Sequence, residues 1–478
     1  MIWEIGRNFL IYIIILNTIG AFITLFREKR DITSTWAWSL VLIFLPIIGF
    51  IAYAFLGRKL PRKRLAKFKS QEQLKIKEVI SAGERFSSVE GFNPTEKHIA
   101  TMFKNTGNTQ LTVNNQIRIY TDGCELFQVM IDDFNQATVS IYVEFYAFLN
   151  DQIGNSILHI LEQRAKAGIE VRVIYDFFGS SGTKLHFFDH LRELGGFATP
   201  FLGVHSNFRD FRLNFRNHRK IVIIDDSIGY IGGFNVGDQY LGKSRRFGYW
   251  RDTHLRIVGD SIQEMRECFV RDWNTTTVIN KIRQKNNYFP TNRNAGNSKL
   301  QIVSSGPDSE MEKIKFGYLK LINSAQKRIW IQTPYLIPDD SILDALHIAA
   351  LSGVDVRIMI PNMPDHAFVY CATQYYAAQL ANQGIHIYFY QNGFIHAKTM
   401  VIDGQIASVG SANMDFRSFK LNFEISTFIY DEKISRKLEN LFISDMDVSE
   451  VVTPERFKEQ SAWLHFKQSF SRLLSPIL

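Results

Sequence analysis

The chain has 478 residues, 46% of them hydrophobic and 21% charged, with a formal net charge of +8 and three cysteines. That length and apolar content allow two domains or one large pseudo-symmetric body with a sizeable core. Cys124, Cys268 and Cys371 lie far apart without metal-ligand spacing, which excludes a disulfide scaffold and a cysteine zinc site and suits a reducing compartment.

The first elements are apolar. Phe9 to Phe26 is an uncharged run, and Trp36 to Leu56 is a second one of 21 residues, which as a helix would rise about 31 Å, close to a bilayer core. Together they predict an N-terminal transmembrane helical hairpin over residues 1–57, with Pro46 and Gly49 permitting a kink or a re-entrant shape in its second leg. No small-residue cleavage pattern precedes Arg27, and another apolar span follows at once, which argues against a removable signal peptide.

Charge gives an orientation. The connector sets Arg27, Lys29 and Arg30 against Glu28 and Asp31, whereas residues 57–70 carry Arg58, Lys59, Arg62, Lys63, Arg64, Lys67 and Lys69 with no acid. The larger positive cluster marks the inner face, so a multi-pass protein of a cell membrane is expected, with its main body in the cytoplasm. Seven of the eight net charges lie in residues 57–70 and one in residues 1–56, leaving residues 71–478 with none. The body is therefore no nucleic-acid binder by composition. The basic segment instead suits anionic membrane lipids, at about 1 kcal/mol per Lys or Arg near the surface.

Residues 58–114 read as a basic juxtamembrane and helical linker. A first half follows over residues 115–289: a helix from Glu125 to Ala137, a strand from Val139 to Phe148, a helix from Ile153 to Ala167 closed by Gly168, and a buried strand from Val171 to Tyr175. After a polar linker at 290–299 the order returns in residues 300–478, as helix Met311 to Ala325, strand Arg328 to Thr333, helix Ser341 to Leu351 and strand Val356 to Ile360. The stretches beginning at Gly168 and Gly353, GIEVRV and GVDVRI, repeat one another. The fold class is α/β, in two related halves.

The chemistry lies in a second repeat. His218, Lys220, Asp225, Gly232, Gly233 and Asn235 recur at the same spacing as His396, Lys398, Asp403, Gly410, Ser411 and Asn413. Residues 396–402 are β-branched and apolar enough for a strand, whose alternate side chains would point His396 and Lys398 the same way. Asp403-Gly404 signals a turn, Ile406 to Val409 starts the return strand, and Gly410-Ser411 lets backbone approach whatever sits there. Imidazole, ammonium, hydroxyl and amide groups around such a surface suit a phosphoryl group, whose charge needs fixed donors. Two imidazoles at one phosphorus can divide the work, one attacking and one donating a proton to the departing alcohol. Spacing alone does not assign the two roles.

The double His-x-Lys-x4-Asp motif resembles that of the phospholipase D superfamily. The wider wording is similar to the bacterial cardiolipin synthases: TDG at Thr121, IYVEFYAF at Ile141, WRD at Trp250, SSGPD at Ser304, QTPYLIPD at Gln332, GFIHAKTMVIDG at Gly393 and RSFKLNFE at Arg417. The resemblance implies two pseudo-symmetric halves sharing one cleft. It implies His218 as nucleophile and His396 as acid and base, with Lys220, Lys398, Asn235, Asn413 and Ser411 holding phosphate oxygens. Asp225 and Asp403 complete the catalytic motif, although their place after the strands suits a structural task. A histidine used this way needs its other nitrogen held by an acceptor, and the matching carboxylates are Glu424 in the second copy and Asp252 in the first.

The implied reaction joins two phosphatidylglycerol molecules into cardiolipin and glycerol through a phosphohistidine, with no metal or cofactor. The alternatives are a phospholipase D-type hydrolase with water as acceptor, a membrane-tethered nuclease, which the neutral body disfavours, and a noncatalytic lipid-binding scaffold, which two complete motifs disfavour. Arg209, Arg212, Arg216 and Arg219, interleaved with Phe208, Phe211 and Phe215, read either as a headgroup approach or as a solvated loop.

Overall fold

The computed structural model describes residues 2–27, 32–81, 92–107, 109–201, 214–277, 280–282, 295–473 and 475. The connector at 28–31, the approach residues Phe208 to Arg212 and the linker at 290–294 lie outside the described residues. Chain contacts divide the molecule into two compact units, residues 1–62 with 204–215, and residues 63–203 with 216–478.

In the first unit a helix spans Ile2–Arg27, and its stretch Trp3–Ile23 is the one helix among the described residues long and apolar enough to cross a membrane. The expected second leg, Trp36 to Leu56, is not one helix. It divides into a helix at Ile32–Phe44, another at Pro46–Ala52 and a π-helical turn at Tyr53–Gly57. Proline lacks the donor a helix interior needs and excludes helical geometry from the residue before it, and Leu45 accordingly sits at φ −129° and ψ 62°. Thirteen residues rise only about 20 Å, short of a bilayer core of about 30 Å. A side chain at Gly49 would meet the Val41 carbonyl at 2.5 Å, so the break also needs glycine there. Ala21, Leu25, Leu42 and Tyr53 form a small core, with Trp38 edge-on to Tyr53 at 5.3 Å.

The second unit holds two sheets built to one plan. The first contains β1 (Asn115–Tyr120), β2 (Ser140–Phe145), β3 (Glu170–Asp176), β4 (Phe197–Phe201), β5 (Ile221–Ile224), β6 (Ile228–Gly232) and β7 (His254–Gly259) in the order 1-7-6-5-2-3-4. The second contains β8 (Leu300–Ser305), β9 (Arg328–Gln332), β10 (Asp355–Pro361), β11 (His386–Tyr390), β12 (Thr399–Ile402), β13 (Ile406–Gly410), β14 (Glu424–Ile429) and β15 (Ser449–Val452). Its order is 8-14-13-12-9-10-11-15, so each strand of the first sheet has its counterpart seven numbers later and β15 is an added edge.

Within each half β2 to β4 and β9 to β11 run parallel through helical crossovers, and β5-β6 and β12-β13 are antiparallel hairpins. Burial on both faces gives the near-continuous apolar strands, as in the fully buried Ile221–Ile224 and Thr399–Ile402. Gly168 and Gly353 close the crossover helices at the same left-handed φ of 86°, a conformation that costs glycine little, which explains their recurrence. The hairpin strands β6 and β13 pack against one another, and β6 also meets β14. The repeated motifs therefore face each other across the junction of the two halves.

Candidate active site

His218 and His396 are held to the main chain of the opposite half by matching contacts. His218 donates its backbone N–H to the Phe423 carbonyl at 2.9 Å, and His396 donates to the Arg251 carbonyl at 2.7 Å. Phe423 precedes Glu424 and Arg251 precedes Asp252. Each backbone bond thus sets the register of the carboxylate that meets the same histidine: His218 Nδ1 lies 3.0 Å from Glu424 Oε1, and His396 Nδ1 lies 2.6 Å from Asp252 Oδ2.

This crossing explains a departure from the expected strand. Residues 396–398 do not belong to β12, which starts at Thr399. The chain before it leaves its own sheet, and Phe394–Ile395 pairs in parallel with Trp250–Arg251 of the first half. On the other side Asn217 bridges to Phe423.

His218 and Lys220 still share a side, and Arg219 between them points away. Lys220 Nζ donates to the His218 carbonyl at 2.6 Å and Lys398 Nζ to the His396 carbonyl at 2.5 Å. Arg219 is fully buried, pairs with Asp272, and donates to the Glu424 carbonyl at 3.1 Å and the Ser305 carbonyl at 3.2 Å. Neither the headgroup reading nor the solvated-loop reading fits it: Arg219 staples the halves together directly beneath the site. Breaking such a buried pair costs about 3–5 kcal/mol because one charge is left uncompensated.

Burial sets the electrostatics. It pulls the His218 imidazole below its ordinary value against the opposing pull of Glu424, and with help from Lys398 it takes His396 down to about 4 despite Asp252. Lys398 Nζ approaches His396 Nδ1 to 2.8 Å. That nitrogen can give its one proton to the carboxylate only, so the ammonium acts there as a charge that disfavours the imidazolium. Burial brings Lys220 to about 7 and Lys398 to about 8. It would raise both carboxylates, but Lys398 and His396 hold Asp252 low, and His218 and Lys220 hold Glu424 low. Both rings therefore have Nδ1 committed to an anionic acceptor and Nε2 left for chemistry.

The remaining motif residues take unequal places. Asp225 accepts from the backbone N–H groups of Thr138, Val139 and Ser140, and Asp403 from those of Gln326, Lys327 and Arg328, all at 2.7–2.9 Å. Both carboxylates thus clamp the hairpin turn to the strand beside it and do not meet the histidines. Ser411 donates to Glu424 at 2.5 Å and so supports the carboxylate, where a phosphate contact had been expected. Its counterpart must be glycine, because a side chain at Gly233 would come within 2.0 Å of Asp252 Oδ1. Asn235 accepts from Ala147 N–H at 3.2 Å and donates to the Tyr240 hydroxyl at 3.3 Å, while Asn413 donates to Asp415 at 3.1 Å.

Sequence reasoning missed the layer behind His218. Asp176 accepts from the Asn217 backbone N–H at 3.0 Å, and the Asn217 side chain donates to the buried Glu144. The Tyr146 ring stands edge-on to His218 at 5.1 Å, as Trp250 stands 5.1 Å from His396. The IYVEFYAF stretch holds Glu144 and Tyr146 and the WRD stretch holds Trp250, but neither wording assigns them these places.

Two α/β halves of one strand order, each presenting a His-Lys pair to a shared junction, define a phospholipase D-like protein. The family model described as "Cardiolipin synthase, PLD-like domain" matches residues 130–273 and 318–446, and that described as "Phospholipase_D-nuclease N-terminal" matches residues 15–58. The chain is 49% identical to a cardiolipin synthase of Listeria innocua serovar 6a over 98% of both chains. It is 48% identical to one of Staphylococcus aureus strain N315, over 97% of this chain and 95% of that one. The crystal structure of phosphatidylserine synthase from Haemophilus influenzae superposes with a TM-score of 0.61 at 15% identity, covering 81% of this chain and all of that one, and so shares the fold. The chain belongs to the cardiolipin synthase family.

Proposed function

We propose that the chain is a phosphatidyltransferase that joins two phosphatidylglycerol molecules into cardiolipin and releases glycerol. The observation that carries the mechanism is the reciprocal holding of His218 by Glu424 and of His396 by Asp252. His218 Nε2 attacks the phosphorus of the first lipid, the bond from phosphorus to the glycerol oxygen breaks, and a proton on His396 Nε2 passes to that oxygen. His396, now neutral, takes the proton of a headgroup hydroxyl of the second lipid. That oxygen attacks phosphorus, the phosphorus–nitrogen bond breaks, and both rings return to their starting states. Burial lowers the affinity of His396 for a proton, and a phosphate charge beside it raises that affinity. Lys220 and Lys398, with the amides of Asn235 and Asn413, are assigned to the nonbridging oxygens.

The N-terminal apolar helix and the family match support membrane association. A second, broken membrane leg and a cytoplasmic body are the topology we propose, on the seven cations of residues 57–70. Membranes carrying the protein, given labelled phosphatidylglycerol, should yield cardiolipin and equimolar glycerol, and neither should form with His218→Ala or His396→Ala. Phosphatidic acid in place of cardiolipin would make water the acceptor and replace the transferase reading with a hydrolase. Unchanged lipid composition in His218→Ala would point to a scaffold.

A further inference from the structure

The last described helix, Ala462–Leu473, is built inside out. Its polar residues Gln468 and Ser471 are buried, with Gln468 Nε2 donating to Gln374 Oε1 at 3.1 Å on helix Ala367–Ala381 and to Gln460 Oε1 at 2.7 Å. Four of its five large apolar residues face outward, Leu464 being half-buried: Trp463 is 65% exposed, Phe466 57%, Phe470 47% and Leu473 74%. They recur at intervals of three and four residues and so form one stripe along the helix. Trp463 stacks on Phe466 at 5.4 Å and Phe466 on Phe470 at 6.3 Å, so the stripe is a continuous aromatic surface. A soluble helix of this length places such residues against its own core.

We propose that this stripe lies in the headgroup–acyl boundary of a bilayer, as a membrane contact separate from the N-terminal apolar helix. Three observations select that occupant. The helix carries Lys467 and Arg472, both exposed, and no acid, which complements an anionic lipid surface. An aromatic ridge flanked by cations is the composition that settles in a membrane interface, where one end of Trp is apolar and the other wet. The area is also small for a protein partner. Four side chains exposed to this degree offer roughly 500 Å², below the roughly 800 Å² per partner of a stable protein interface. The inference draws on the lipid-transferase reading only for the presence of a bilayer, and its test does not depend on turnover.

The full chain is reconstituted in vesicles of equal parts phosphatidylglycerol and phosphatidylcholine, with and without brominated acyl chains. The Trp463 signal is taken as the emission difference between wild type and Trp463→Phe. The proposal expects blue-shifted difference emission, quenched by bromolipid and shielded from aqueous iodide. A Phe466→Ser/Phe470→Ser variant should restore iodide access without altering the melting temperature in detergent. Difference emission open to iodide and insensitive to bromolipid would overturn the proposal. So would shielding that persists in detergent and grows with protein concentration, which would give the stripe to a second copy of the chain.

Discussion

His218 and Glu424 stand 206 positions apart in sequence and in opposite halves, yet Nδ1 of one lies 3.0 Å from Oε1 of the other. Asp252 returns the contact to His396. Neither half can therefore prepare its own histidine. Glu424→Gln and Asp252→Asn keep the side-chain shape and remove the charge that supports an imidazolium or a phosphohistidine. Each is expected to lower the rate of cardiolipin formation by about 10² to 10⁴-fold with the protein still folded. A loss under about tenfold in either variant, with an unchanged melting temperature, would show that the crossed carboxylates do not prepare the rings.

The buried lysines give a stability signature with a definite sign. Burial lowers Lys220 to about 7 from its ordinary 10.5, so between those values the unfolded chain binds a proton that the folded chain does not. The penalty of holding Lys220 is complete below pH 7 and is relieved as pH rises toward 10.5. Lys220→Met should abolish transfer yet raise the melting temperature, and the rise should be larger at pH 6 than at pH 10. An equal rise at both pH values would mean the ammonium is solvated and not held in a dry site.

Asp225 and Asp403 belong to the motif by spacing, but their carboxylates bind backbone amides, and both residues adopt left-handed backbone, at φ 52° and 53°. Asparagine tolerates that backbone but forfeits the ionic acceptor. Asp225→Asn and Asp403→Asn should each cost about 1–3 kcal/mol of stability and leave the rate per folded molecule nearly unchanged. Chemical denaturation with activity normalised to the folded fraction separates the two effects, and a rate loss without a stability loss would restore a catalytic part for these residues.

Gly233 and Ser411 occupy the same motif position but are not interchangeable. A side chain at Gly233 collides with Asp252, whereas the Ser411 hydroxyl is a partner of Glu424. Gly233→Ser should displace Asp252 and remove activity. Ser411→Gly should fold and retain reduced activity, through loss of one hydrogen bond to a charged group worth about 1.5–3 kcal/mol. Equal tolerance at both positions would contradict the asymmetry of the two carboxylate seats.

Much of the architecture was legible because it rests on local pattern. Apolar runs, helix-closing glycines and the GIEVRV and GVDVRI repeats mark parallel α/β units, and His-x-Lys followed by a turn marks a hairpin. The second apolar run shows a local limit as well: hydropathy counts apolar residues, and Pro46, which permits the kink, decides that they do not form one helix. Ser411 depends on packing instead, since a hydroxyl beside a glycine reads as a phosphate donor and only the fold shows it donating to the buried Glu424.

With the family resemblance supplying the carboxylates, the sequence by itself determined the repeat, the fold class and the identity of the paired His and Lys side chains. Spacing along one chain carries that information. Only the tertiary structure decided which carboxylate serves which histidine and that Arg219 is a staple beneath the site. It alone also shows that the last described helix turns its aromatic face outward. The physical reason is common to all three. Each depends on a partner more than 50 residues away, or on the burial of one helix face, and contacts at that range are fixed by how the sheets and helices pack.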